Sequence, residues 1–526
     1  MNDDKIDDRI IAAKQGAKGG ILNITSAIIS KIGGLLFYIL ILRVITPAEG
    51  GIYFLSLAIA SIIATIGILG IGDSLARFIP YYEGAKKQDK IKPLIFTALI
   101  SFLIFSVLIS FCVHTLNDII ITYYNKDIAP VLVITLFIGI SLSFNAILLS
   151  ALFGLRKFEE CALYSAILPF LKLVLVTVLF LFSTKNVESA LNATFWSIMI
   201  VNIAMFISIF IKLAKFSGRF GLLGYRDILE TASYGIAAVL SQSSSVLMGY
   251  IDTIVLGYYA SSNIIGAYNS IMNVARTAMH TISSQIFSVL TPMLTHMHGM
   301  ESKIFKSLAN NAVKWSVYTT IPLVIVVLFF AREIIEILFP AYADYYWLFY
   351  IIVPGIAIGI VSHPARSAIS AVGRADLLFK SSFIGLVLNF ILNLVLIPIY
   401  GVSGAAYATA FSYSINELII IFYAYKFAKF EVPRIILKTI IPLISMLLVV
   451  ILSYKHLFDF SLHGLLFEII GVAFASSLSF LVYGILLIKL GGLNKIDCMI
   501  VEKLVKLVAR FFKVRSNCIL RPLKHL

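Results

Sequence analysis

The stretch YIDTIVLGYYASSNIIGAYNSIMNVART, residues 250–277, sets an acid and a guanidinium, Asp252 and Arg276, in surroundings apolar enough for lipid. Lys31, Lys172, Arg366 and Glu417 also stand inside apolar runs. A charge is costly at bilayer depth, so such residues face a bundle interior or a water-filled cavity. Residues lining a cavity should come with polar or small neighbours at helical spacing. Asn23, Ala27, Ser30/Lys31, Gly34 and Tyr38 form such a stripe, as do Ser241/Gln242, Ser245, Gly249 and Asp252. Asn269, Asn273, Arg276, His280 and Ser284 form a third, and Ser362, Arg366 and Ser370 a fourth. Lys172 follows Pro169 without a stripe and reads as a tie between helices.

These residue types suit an anion. Lys31, Arg276 and Arg366, with Asn269 and Asn273 beside them, make a substrate-binding set for phosphate, which a guanidinium chelates in a fork. Asp252 and Glu417 are the candidates for ion coupling or charge compensation. At a rise of about 1.5 Å per residue, Asp252 and Arg276 differ in height by roughly 8 Å, a gap that an arginine side chain largely spans. The acid is therefore expected to compensate the guanidinium in an empty cavity.

Helices must position these groups. Of 526 residues, 60% are hydrophobic and 13% charged, against about a quarter charged in soluble domains. Apolar runs long enough to cross a hydrocarbon core of roughly 30 Å recur along the chain. They predict an all-α polytopic membrane protein with about fourteen spans, near 21–45, 51–72, 94–116, 130–153, 162–183, 189–211, 233–259, 264–292, 314–331, 346–372, 379–399, 402–425, 436–454 and 464–488. The N-terminal residues show no short apolar core with a small-residue cleavage site, so the first span is expected to direct insertion. Most of the 42 Lys and Arg alternate onto one side of this scheme, leaving Arg43, Lys126, Lys185, Arg332 and Lys455 on the other. By the positive-inside rule both termini are cytoplasmic, in the cytoplasmic membrane.

The +15 net charge is thus an orientation signal, and no nucleic-acid partner is expected. The tail from residue 489 places Ile496, Ile500, Leu504, Val508 and Phe511 on one face and basic residues on the other, an interfacial helix. Packing against its own cytoplasmic loops is the alternative. The four cysteines have no metal-ligand spacing, and His296 and His298 read as a solvated loop. No metal or cofactor is expected, apart from coupling to Na⁺, H⁺ or membrane potential.

The chain repeats itself. Gly51-Ile52-Tyr53 after the first span is matched by Gly266-Ala267-Tyr268 after the seventh, and SALFGLRK with Gly154 by SAVGRA with Gly373. Both pairs are displaced by nearly the same number of residues, so spans 1–6 and 7–12 are two six-helix repeats. Transporters built this way hold substrate between the halves and alternate access. The expected units are a cytoplasmic tail (1–20), a first lobe (21–211), a linker (212–232), a second lobe (233–425), two added spans (436–488) and the basic tail (489–526).

The first span ending in Leu-x-Arg-Val-Ile-x-Pro with Gly-x-Tyr following, and Asp252-Thr-Ile-Val-Leu-Gly-Tyr-Tyr followed by Gly-x-Tyr, resemble the polysaccharide biosynthesis (oligosaccharide flippase) family. That family sits in the multidrug/oligosaccharidyl-lipid/polysaccharide (MATE-like) exporter superfamily. The likeness covers about residues 15–430. It implies a V-shaped bilobed flippase, not an enzyme, carrying a polyprenyl-diphosphate-linked oligosaccharide across the membrane. A glycan polymerase or glycosyltransferases of the same pathway are the partners that role implies.

Two rivals differ in chemistry. A MATE-like multidrug or cation antiporter should have an acid-dominated lumen, whereas here bases outnumber acids inside the spans. A membrane-embedded glycan-processing enzyme needs convergent acid, base or metal groups on a substantial surface outside the bilayer. The longest outer loop, 117–129, offers little such surface, and the inner loops hold no phosphate-cradling glycine motif.

Overall fold

The computed structural model describes residues 25–428, 439–458 and 465–490, apart from 69, 125–127, 289, 292–293 and 296–301, and the side chains at 120, 236–242, 245, 280–288, 302–304, 428, 455–458 and 465–468 are likewise not described. Both charged tails, Asn23 and the His296/His298 pair lie outside these residues, as do the side chains of Ser241, Gln242, Ser245, His280 and Ser284.

Among the described residues the chain is helical, without strands. The first lobe comprises α1 (Thr25–Val44), then α2 (Pro47–Ile68), α3 (Ile71–Gly84), α4 (Ile91–Thr115), α5 (Asn117–Tyr124), α6 (Ala129–Gly154), α7 (Phe158–Phe182) and α8 (Val187–Leu213). The second comprises α9 (Tyr225–Met248), α10 (Ile251–Tyr259), α11 (Ser262–Ser288), α12 (Ser302–Phe329), α13 (Ala331–Leu338), α14 (Leu348–Ala371), α15 (Ala375–Tyr400) and α16 (Val402–Ala428). Two further helices follow, α17 (Ile440–Phe458) and α18 (Leu465–Lys489). Among the described residues, eleven helices are long and apolar enough to cross a membrane. Their outward faces carry large apolar side chains, such as Leu103, Val107, Leu108 and Phe111 on α4. In water those groups would be unfavourable; against lipid they match the solvent.

The structure corrects three sequence expectations. The seventh span is not continuous, since α9 ends at Met248 and α10 begins at Ile251. The second splits at Gly70, whose φ is +75°, and α3 carries the chain on to Gly84. The segment 117–129, expected as a loop, holds α5.

The repeat is visible in packing. Tyr53 meets Thr194 across its lobe at 3.0 Å, and Tyr268 meets Thr409 at 3.0 Å, each pair 141 residues apart in the chain. All four side chains are buried. The lobes themselves meet at two ends. At one, a side chain on Gly51 would overlap the Ser262 carbonyl, while the Pro47 carbonyl presses on Gly266. The Tyr342 hydroxyl donates to that Pro47 carbonyl at 3.0 Å. Arg43 reaches from the first lobe to the carbonyls of Ile337 and Leu338, capping α13. At the other end Ser74 donates to the Thr231 carbonyl at 2.7 Å, and Lys90 pairs with Asp227 at 2.8 Å.

Candidate functional site

The break between α9 and α10 builds the first part of the site. Gly249 and Tyr250 close short three-residue turns onto Val246 and Leu247, so the last turn tightens and the Gly249 carbonyl loses its helical donor. Arg276 on α11 supplies one, with both terminal nitrogens 3.4 Å from that oxygen. Its guanidinium also donates to the Tyr413 hydroxyl at 3.3 Å.

Asp252 lies in the first turn of α10, where the positive end of a helix favours a carboxylate. It is 1% exposed. The Tyr268 hydroxyl donates to its Oδ2, as does Thr409 at 3.0 Å. Oδ1 finds no partner, and neither do Asn389 Oδ1 or either polar atom of Asn393, all buried on α15. Orphaned buried polar atoms call for an explanation such as an ion or water. Among the described residues no group of three or more His, Cys, Asp or Glu could hold a metal ion. Asp252 and Arg276 lie within electrostatic reach of each other, but no direct ion pair joins them; each has its own hydrogen-bond partners.

Glu417 on α16 forms a second buried centre. Arg366 approaches its Oε1 to 2.5 Å, Asn416 donates to the same oxygen at 3.2 Å, and Ser362 donates to Oε2. The glutamate side chain is 7% exposed and the arginine 29%, so the base keeps a surface facing outward from the pair. His363, on the same helix α14, lies within electrostatic reach of both Arg366 and Lys31. Lys31, from α1, thus approaches the second lobe here.

The amides sit along α11. Thr253 donates to Asn269 Oδ1 at 2.9 Å, while the Asn269 and Asn273 amides donate to the carbonyls four residues earlier, at 3.0 and 2.8 Å. Both asparagines are half-buried. Lys172 stands apart from this cluster, its ammonium 6.0 Å from the centre of the Phe37 ring.

Several participants escape a search for charges alone. Tyr268, Thr409 and Tyr413 read as packing residues in apolar helices, and Asn389 and Asn393 as ordinary helix-to-helix bonds. The available signal is spacing: Thr409, Tyr413 and Glu417 recur at every fourth residue, on one face of α16. His363 shares a face with Arg366, three residues on.

This bilobed all-α architecture is shared with solved membrane transporters. It matches the lipid II flippase MurJ in an inward closed conformation, with a TM-score of 0.70 at 19% identity over 88% of this chain and 98% of that one. A multidrug resistance MATE family transporter in an inward-facing conformation matches with a TM-score of 0.63, at 14% identity over 78% of this chain and 94% of that one. The model of the polysaccharide biosynthesis protein family matches residues 17–298, and the chain belongs to that family. An uncharacterized membrane protein of Methanocaldococcus jannaschii is 24% identical over 409 residues, 74% of this chain and 79% of that protein. A probable low-salt glycan biosynthesis flippase of Haloferax volcanii, Agl15, is 25% identical over 227 residues, 42% of this chain and 48% of that protein.

Proposed function

We propose that this protein is a flippase that moves a polyprenyl-diphosphate-linked oligosaccharide across the cytoplasmic membrane by alternating access. The observation that carries the reading is that bases from both lobes, Lys31 on α1 and Arg366 on α14, lie within electrostatic reach of His363. Arg276 adds a third base on α11, near the lobe interface. A diphosphate bridging such groups would draw the lobes together, and its release would let them part. The lipid tail stays in the bilayer. The Haloferax relative's name and the family membership support a glycan precursor as cargo.

The lobes are the expected units 21–211 and 233–425, with α9 running from Tyr225 into the second and the residues between α8 and α9 linking the two. The basic loops face the cytoplasm, as do both termini. Asn269 and Asn273 offer amides to the head group. Asp252 couples the cycle to a cation or proton, since its buried Oδ1 is without a partner. Glu417 balances Arg366 when no phosphate is present.

That same buried acid favours a second reading, a cation antiporter like the MATE proteins. Reconstituted vesicles distinguish the two. Purified protein is incorporated with a short-chain polyprenyl diphosphate-sugar, and separately with a lipophilic cation, and movement of each is followed. Translocation of the diphosphate-sugar supports the flippase. Movement of the cation alone sinks it.

A further inference from the structure

The face of α16 bearing Thr409, Tyr413 and Glu417 touches three charged groups in sequence. Thr409 donates to Asp252 at 3.0 Å, Arg276 donates to Tyr413 at 3.3 Å, and Arg366 donates to Glu417 at 2.5 Å. The face spans about 12 Å at a rise of about 1.5 Å per residue. Tyr413 is its midpoint, and its hydroxyl lies within electrostatic reach of both carboxylates. The asparagine Asn416, next to Glu417, adds a further donor to that acid. One helix therefore connects the buried acid at the α9–α10 break to the half-exposed base of the Arg366–Glu417 pair.

We infer that Tyr413 is a positioning residue that couples the charge on Asp252 to the grip of Arg366 on a phosphate group. This rests on the flippase reading, including the role of Asp252 in binding a cation or proton. While Asp252 is ionised, its field holds Arg276 toward α10. The groups within reach of that carboxylate are Arg276 and Tyr268 from α11 and Tyr413 from α16. When Asp252 takes up a proton or a monovalent cation, the attraction on Arg276 weakens. The guanidinium then depends on the Gly249 carbonyl and the Tyr413 hydroxyl. A change in that hydrogen bond alters the field at Glu417, and so the balance between Glu417 and phosphate in competing for Arg366. The link is a hydroxyl, not a ring: phenylalanine fills the same space without it. Coupling of this kind is reciprocal, so phosphate at Arg366 must also change cation affinity at Asp252 by the same factor.

The test compares wild type, Tyr413→Phe and Asp252→Asn, purified in nanodiscs. Binding of a short-chain polyprenyl diphosphate-sugar is titrated in sodium and in choline buffers, and across a pH series. Wild type is expected to show an affinity that changes about fivefold or more with sodium or pH, within the usual range of coupling between sites. Tyr413→Phe should bind within about threefold of wild type in the absence of the coupling ion, yet lose the dependence, as Asp252→Asn does. A merely structural tyrosine would lower affinity or thermal stability and leave the ratio unchanged. Retention of the wild-type ratio by Tyr413→Phe overturns the inference. Should that variant fail to fold, Arg276→Lys, which keeps the charge but shortens the reach to the Tyr413 hydroxyl, is measured in its place, and retention of the ratio there overturns the inference. Wild-type binding with no sodium or pH dependence refutes the coupling while sparing the flippase reading. No diphosphate binding by wild type refutes both.

Discussion

Asp252 occupies in the second lobe the place that Phe37 occupies in the first. Each precedes the matched tyrosine, Tyr268 or Tyr53, by 16 residues and touches it: the acid through a hydrogen bond, the phenylalanine with ring centres 6.2 Å apart. The Tyr–Thr pair is kept in both halves while the residue beneath it changes from apolar to ionisable. The same contrast holds at Asn202, which takes the place of Glu417. Asn202 accepts from Asn145 and donates to the Ser141 carbonyl, both at 2.8 Å, a neutral network where the second lobe has an ion pair. Charge in the buried interior is thus concentrated in one lobe, and conformational coupling should originate there.

Replacing Asp252 by Asn tests that asymmetry. The amide keeps the shape and can still accept from Tyr268 and Thr409, so expression and folding should be near normal. Removing the acid makes the surroundings of Arg276 more positive. Affinity for an anionic diphosphate-sugar should hold or rise, while turnover falls about tenfold or more because release becomes harder, a change of about 1.4 kcal/mol in the barrier. Binding titrations and vesicle flux measured on the same preparation check this. Tight binding of a lipophilic cation by the wild type that Asp252→Asn removes would instead support the antiporter.

Lys31 and Arg276 should respond differently to alanine. Lys31 contributes its charge near His363 and Arg366, and its loss should cost at least about tenfold in substrate affinity with membrane levels unchanged. Arg276 also satisfies the Gly249 carbonyl at the helix break. Arg276→Ala should abolish complementation of a glycan-export defect and lower the melting temperature as well. Measuring both variants for export, membrane abundance and thermal unfolding separates binding from architecture. Normal export by both would remove these bases from the substrate site.

Much of this was legible in the chain, for identifiable reasons. Apolar length and the matched Gly-x-Tyr segments each report on whole helices, so their signal accumulates over many residues. The break at Gly249 does not accumulate: one glycine in an apolar run is compatible with a straight helix, and the deciding partner, Arg276, comes from another helix. The face of α16 was hidden because Thr409 and Tyr413 are common packing residues, and only contact with Asp252 and Arg276 distinguishes them. Arg43, an exception to the charge alternation, has its explanation in capping α13 across the lobe boundary.

Glu417→Gln should destabilise the second lobe. The amide leaves Arg366 without its countercharge, and loss of one partner of a buried pair costs about 3 kcal/mol at the low end of the usual range. The low end applies because Arg366 is 29% exposed and can recruit water. Thermal unfolding should show the loss, and a saturating diphosphate-sugar should restore part of it by giving Arg366 a new anion. The double variant Glu417→Gln, Arg366→Gln should regain most of the stability but not the binding. A single variant as stable as wild type would mean that the pair contributes little.

Gly51→Ala probes the end of the molecule where the lobes meet through bare backbone. A Cβ at Gly51 would fall 1.7 Å from the Ser262 carbonyl, which is backbone and cannot swing aside. The contact must open by more than an ångström. Because Gly51 lies within α2, alanine itself favours the helix by about 1 kcal/mol, so the first lobe should fold normally. The penalty falls only on states in which Gly51 and Ser262 touch. The variant should therefore reach the membrane at wild-type levels but disfavour closure at this end. A cysteine pair at Pro47 and Ser262, joined by a flexible bifunctional maleimide in a background lacking the native cysteines, reads that closure. Crosslinking should be efficient with Gly51 and fall several-fold with alanine, together with a loss of export. Equal crosslinking in both backgrounds would show that the lobes pass one another there without the close approach of Gly51.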